Sequence, residues 1–180
     1  MKNILITATL SLLFGFSQAQ IAIGKNNVST ASVSLEFGNE NRGLLLPWVT
    51  AETAVVSPEN GTIIYDAAAN KVKVKYVAGW QDLSIDAAGT TINPNTGIDG
   101  LLIQNGLAEN TDAKVSIGEP TDVNGILVLE DTDKAMVLPL VESPDLNIIN
   151  PTPGLMVYNP TSQRLAVFNG TVWSFWKAEN

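Results

Sequence analysis

The chain has 180 residues, 45% of them apolar and 16% charged, which is too apolar for disorder and too polar for a multi-span membrane protein. It contains no cysteine and no histidine, so thiol nucleophiles, Ser-His-Asp triads, His or Cys zinc sites and imidazole acid–base catalysis are excluded. Its net charge of −8 repels polyphosphate and argues against nucleic-acid partners.

The first 19 residues read as a signal peptide. Lys2 gives a basic start, Ile4 to Phe16 is uncharged and too short to span a bilayer, and Ser17-Gln18-Ala19 is a cleavage site with small residues at its two recognition positions. The expectation is an exported protein, extracellular, at the cell surface or in the periplasm, beginning at Gln20. The remainder has no stretch long enough to cross a membrane, so it is not expected to be membrane-spanning.

From Gln20 the chain reads as mainly β: two tandem small hairpin or sandwich-like repeat units with at most short helical turns. The expected divisions are a first unit over 20–85, a linker over 86–113 and a second unit over 114–180. In the first unit, Ile21 to Gly24 is a short strand ending in glycine. Val33 to Phe37 alternates, with Val33, Leu35 and Phe37 on one face and Ser34 and Glu36 on a polar one. After a turn at Gly38 to Asn41, the apolar run Leu44-Leu45-Leu46 suits a strand covered on both faces, and Pro47 ends its pairing. Thr50-Ala51-Glu52 is a weak helical-turn pattern. Gly61 opens a strand through Tyr65, Asp66 to Asn70 turn it, and Val72, Val74 and Tyr76 alternate with Lys73 and Lys75 before Gly79-Trp80. Lys71, Lys73 and Lys75 read as a charged sheet edge that blocks aggregation.

In the linker, Ala87 to Gly97 has turn formers and little to bury, and Leu101 to Ile103 is open to a further strand or to packing on either unit.

The second unit repeats this order at an offset of 92 to 94 residues. Val115-Ser116-Ile117-Gly118 matches the first strand, Leu127 to Glu130 the second, and Met136-Val137-Leu138-Pro139 the Leu-Pro run. Ser143-Pro144-Asp145 is a stronger helical start, with a capping residue, proline at the first position and an acid. Gly154, Tyr158 and Trp173 answer to Gly61, Tyr65 and Trp80, with tight turns at Asn159 to Ser162 and Asn169-Gly170. The shared residues Gly24, Pro47, Gly61, Tyr65, Trp80, Gly118, Pro139, Gly154, Tyr158 and Trp173 read as a structural frame.

This order of Ile-Gly, alternating strand, Gly-Leu-Leu-Leu-Pro, Pro-x-x-Gly-x-x-x-Tyr-Asp/Asn and Gly-x-x-Trp resembles a short β-rich module of exported Bacteroidota surface proteins, and is similar to hairpins near the tips of phage tail fibres. The resemblance covers Ile21 to Leu83 and Val115 to Trp176. It implies a structural or adhesive surface protein with no enzyme activity and no known cofactor. The module usually has Arg after the Leu-Pro proline. Here Trp48 and Leu140 stand there.

Specific activity is sought where the units differ. Trp48, Trp176 and Phe175 are candidates for a glycan-stacking surface, with edge packing as the competing reading. Glu130, Asp131 and Asp133 could ligate Ca²⁺, although a polar turn is preferred and no cofactor is required. A unit of about 63 residues without disulfides or metal is marginal alone. The two units therefore share one core, or each assembles with identical chains in a homo-oligomer, or with another surface protein. The leading function is an exported structural or adhesive subunit of a cell-surface assembly. The alternative is a secreted carbohydrate-binding module, and a carboxylate hydrolase comes third.

Overall fold

The computed structural model describes residues 20–85, 89–93, 96–104, 110, 112–119 and 121–177. The expected signal peptide lies outside the described residues. The protein is mainly β, as expected. The first half carries β1 (Ile21–Ile23), β2 (Val33–Phe37), β3 (Leu44–Leu45), β4 (Trp48–Val49), β5 (Ile63–Asp66), β6 (Lys71–Tyr76) and β7 (Gly79–Asp82). The second carries β8 (Val115–Gly118), β9 (Leu127–Glu130), β10 (Ala135–Val137), β11 (Leu155–Asn159), β12 (Arg164–Phe168) and β13 (Trp173–Trp176).

Among the described residues, helical structure is confined to short pieces. A 3₁₀ turn at Glu52–Ala54 and helix α2 at Pro144–Asn147 occupy the two places where helical turns are expected, and α1 spans Gly100–Gln104. Leu101 to Ile103 is thus helical, not a strand. Ser143 precedes α2 in a left-handed conformation (φ 40°) and makes no side-chain capping bond. Its carbonyl, not its hydroxyl, meets the helix by accepting from Leu146 and Asn147.

The two triple-stranded meanders have one register. Ile63 faces Val74 and Tyr65 faces Val72, while Met156 faces Val167 and Tyr158 faces Leu165, each displaced by 93 residues. Trp48 pairs in parallel with Tyr65, and Leu140 bridges Tyr158 in the same sense. Parallel pairing needs a crossover, and the short helical turns between each pair of prolines provide it. The prolines do not end pairing altogether. Pro47 and Pro139 lack an amide, but their carbonyls accept from Tyr65 and Tyr158 at 2.9 Å each, and the chain changes sheet at that point. Positive φ recurs at matched positions: Ser57 and Asn150, Gly61 and Gly154, Asn70 and Gln163. The first strand pairs differ by two residues. Ile23 lies beside Phe37 and Ile117 beside Leu129, a slip that keeps the same faces turned the same way.

The halves interlock. β3 leaves its own half and joins β11 antiparallel, giving the sheet β13-β12-β11-β3. β10 crosses the other way and joins β2 in parallel, giving β1-β2-β10. The main core is shared, with Leu46, Tyr65 and Val72 of one half packed on Met156 and Val167 of the other. A second cluster belongs to the second half alone: Val141, Ile148, Leu155, Val157, Ala166 and Phe168.

Three further expectations change. Ser34 and Glu36, expected on a polar face, are buried: Glu36 accepts from Lys25 and the Ser29 amide of the 24–32 connection, and Ser34 Oγ donates to Ala135 O of the other half at 3.4 Å. Leu45, expected to be covered, is 51% exposed. The lysine strand β6 is internal, between β5 and β7, rather than a sheet edge.

Candidate functional site

The features that join the two halves are also where the differing residues gather. Trp48 sits half-buried in β4, its ring 5.3 Å from that of Tyr65. Its Nε1–H donates to the Pro153 carbonyl of the other half at 2.8 Å. Gly100 lies so close that a Cβ there would fall 2.5 Å from the indole. Trp48 therefore ties three segments together. Leu140, its counterpart, is exposed.

Trp176 and Phe175 lie on opposite faces of β13, as adjacent strand residues must. Trp176 donates its Nε1–H to Leu83 O at 2.6 Å, again across the halves. Phe175 packs on the second-half core cluster, facing Ala166. Its counterpart in the first half is Asp82, so the same sheet face is apolar in one half and charged in the other. On the charged face Lys73 meets Glu52 at 2.6 Å and Asp66 at 3.0 Å, and Lys71 meets Asp82 at 2.6 Å. Burial alone would lower the Lys73 pKa, but its hydrogen bonds to Glu52 and Asp66 raise it. The Trp173 ring packs on that of Phe168 at 5.3 Å. Trp80 sits opposite Lys75, half-buried.

The acidic trio does not converge, and no group of three metal-ligating residues occurs among the described residues. Glu130 accepts from the Thr121 amide at 2.6 Å, from the Thr121 hydroxyl and from Ser116 Oγ. Asp131 is paired with Lys134 at 2.9 Å, and Asp133 is exposed at 4.0 Å from the same lysine. Glu130 copies Glu36, which accepts from the Ser29 amide and from Lys25, both at 2.6 Å. Each glutamate clamps the connection of its parallel strand pair. The Lys25 hydrogen bond and then the Ser29 amide hold Glu36 below the usual carboxylate range, and Thr121 does the same for Glu130.

The Tyr-Asp/Asn step of the frame has a direct cause. Asp66 Oδ1 accepts from the amides of Ala68 and Ala69, both at 3.0 Å, and Asn159 Oδ1 accepts from Thr161 and Ser162 at 3.0 and 3.1 Å. Either residue folds the same turn. Burial would raise the Asp66 pKa, but the Ala69 amide, Lys73 and the Glu52 amide together lower it. Tyr65 is fully buried, with its hydroxyl 3.1 Å from Asn169 O. Burial, then the neighbouring Asp66, push its pKa up.

The segment between the units is not idle. Thr90 N–H donates to Asn169 O, and Gly170 is so near Thr90 O that any side chain would collide with it. Sequence reasoning missed this seam residue, and the Gly-Thr-Thr composition alone carried no hint of it.

The second half is thus an apolar three-stranded meander bound to the first by exchanged strands. Residues 114–179 match a family model described as a phage tail like trimerisation region. That segment is a phage-tail-like β module. Neither a curated protein nor a solved structure matches the chain. Among the described residues no helix is long and apolar enough to cross a membrane.

Proposed function

We propose that this protein is an exported structural subunit of a cell-surface assembly, that it forms a homotrimer, and that each chain carries two copies of one β module. The match of residues 114–179 to a trimerisation region carries the reading. The shared register of the two meanders at an offset of 93 residues supports the duplication. The charge, apolar stretch and small residues at 1–19 support export. The role is structural or adhesive rather than catalytic: the matched acids Glu36 and Glu130 are committed to clamping loops. Carbohydrate stacking is the weaker reading, because the indole N–H groups of Trp48 and Trp176 already serve carbonyls across the seam.

Treating intact cells with protease and probing for the native protein tests the placement. Digestion without lysis is expected. Protection until the inner membrane is broken would contradict a surface role.

A further inference from the structure

The two halves join through a strand that each sends to the other, and these two strands hold different partners. β3 offers β11 the edge that carries Leu44 and Leu46, since Leu46 N–H donates to Gly154 O at 3.1 Å and Leu44 lies opposite Met156. β10 offers β2 the edge that carries Ala135, whose N–H donates to Ser32 O at 2.9 Å. Position 135 corresponds to 43, one residue out of step with 44 and 46. Backbone groups alternate edges along a strand. The two strands therefore use opposite edges of one element, and a single such strand can hold both kinds of neighbour at once.

In this chain neither does. β3 and β10 are terminal strands of their sheets, each with one edge open. The partner edges they would take are also open. β11 is covered by β3 along Leu155 and Met156, whereas the corresponding stretch of β5, at Thr62 and Ile63, has β6 on one edge and, among the described residues, no strand on the other. Among the described residues, β2 has neighbours on both edges, whereas β9 has only β8. Among the described residues the Leu138 amide has no backbone acceptor and the Gly61 carbonyl no backbone donor, although their counterparts Leu46 and Gly154 bond to each other. Burial follows the same division. Val33 and Leu35 of β2 are 5% and 1% exposed, while Leu127 of β9 is 40% exposed and the adjoining Ile126 is 63%.

We propose that a second copy of the chain completes these edges by repeating the internal strand exchange: β10 of one chain pairs antiparallel with the Gly61–Ile63 edge of the next, and β3 of that next chain pairs in parallel with β9 of the first. The inference rests on the homo-oligomer proposed above and specifies its interface. The four open edges fall into two complementary pairs, so one neighbour fills the edges of β9 and β10 and a second fills those of β3 and β5. The contact is head-to-tail, so it must close into a ring, which three chains provide, or it would grow as a filament.

The sequence lacks cysteine, which makes disulfide trapping clean. Leu45 and Leu155 oppose each other within the chain, and their counterparts are Val137 and Thr62. Opposed residues of an antiparallel pair lie about 4.5–5.5 Å apart, within disulfide reach. The variant L45C/L155C should oxidise within one chain, with no gain in mass on a non-reducing gel. The variant T62C/V137C should give covalent dimers and trimers that reduction abolishes, with an unchanged circular dichroism spectrum. Trapped L45C/L155C beside uncrosslinked T62C/V137C, in a protein that light scattering finds oligomeric, would overturn the strand exchange and leave the homo-oligomer standing. A single-chain mass in light scattering would overturn both.

Discussion

Asp66 and Asn159 hold the same turn, but only Asp66 also meets a lysine, at 3.0 Å. That difference makes one prediction about acid. The folded-state pKa of Asp66 is lowered, so its contribution is present above its unfolded value of about 3.9 and is lost as pH falls further through the folded value. Asp66→Asn keeps the turn and removes the titration. Urea midpoints at pH 7 and pH 3 should therefore fall less steeply for the variant than for the parent, and equal losses would remove Asp66 from the account. Trp48 makes a second prediction. Trp48→Ala loses the Tyr65 ring contact and the bond to Pro153 O, and should cost about 2–3 kcal/mol, below the full core value because the ring is half-buried. Chemical denaturation of the variant checks it. At this scale much was legible from sequence: the glycines, prolines and Asx turns sit where local backbone chemistry puts them. The ion pairs of Lys73 were not, because Glu52 and Asp82 are separated from it along the chain and only the fold makes them neighbours.

The elements show where local reasoning stops. The hairpins at β5–β6–β7 and β11–β12–β13 follow from alternation and tight-turn residues, which act within a few positions. The partners of β3 and β10 do not follow, because a two- or three-residue apolar run carries no address for a strand about 100 residues away. Glu36 was misjudged for a related reason. Alternation assigns it to the second face of β2, but nothing in the alternation says that the connecting loop will cover that face. The seam between the elements yields a comparison of matched glycines. Gly154 has φ 82° and a Cβ there would lie 2.9 Å from the Tyr65 Cβ, whereas Gly61 has φ 91° and nothing within 4 Å. Both alanine variants carry backbone strain of about 1 kcal/mol. Gly154→Ala adds a collision between the halves and should be the less stable of the two by thermal melting. Equal melting temperatures would show that the seam yields without cost.

For the whole molecule, the two small units solve their shortage of core in two steps. They share one apolar layer within the chain, which neither would fill alone. They then leave strand edges and apolar residues uncovered, among them Leu45, Ile126 and Leu127. Open edges of this kind invite further pairing, and a closed ring is the arrangement that uses them up. The recurring order of glycines, prolines, tyrosines and tryptophans is read in the sequence, whereas the mutual exchange of strands appears only in three dimensions. The most direct test is the native mass of the purified protein, produced from Gln20 onward, by multi-angle light scattering at micromolar concentration. The account predicts three times the mass of one chain, and a single-chain mass would contradict it.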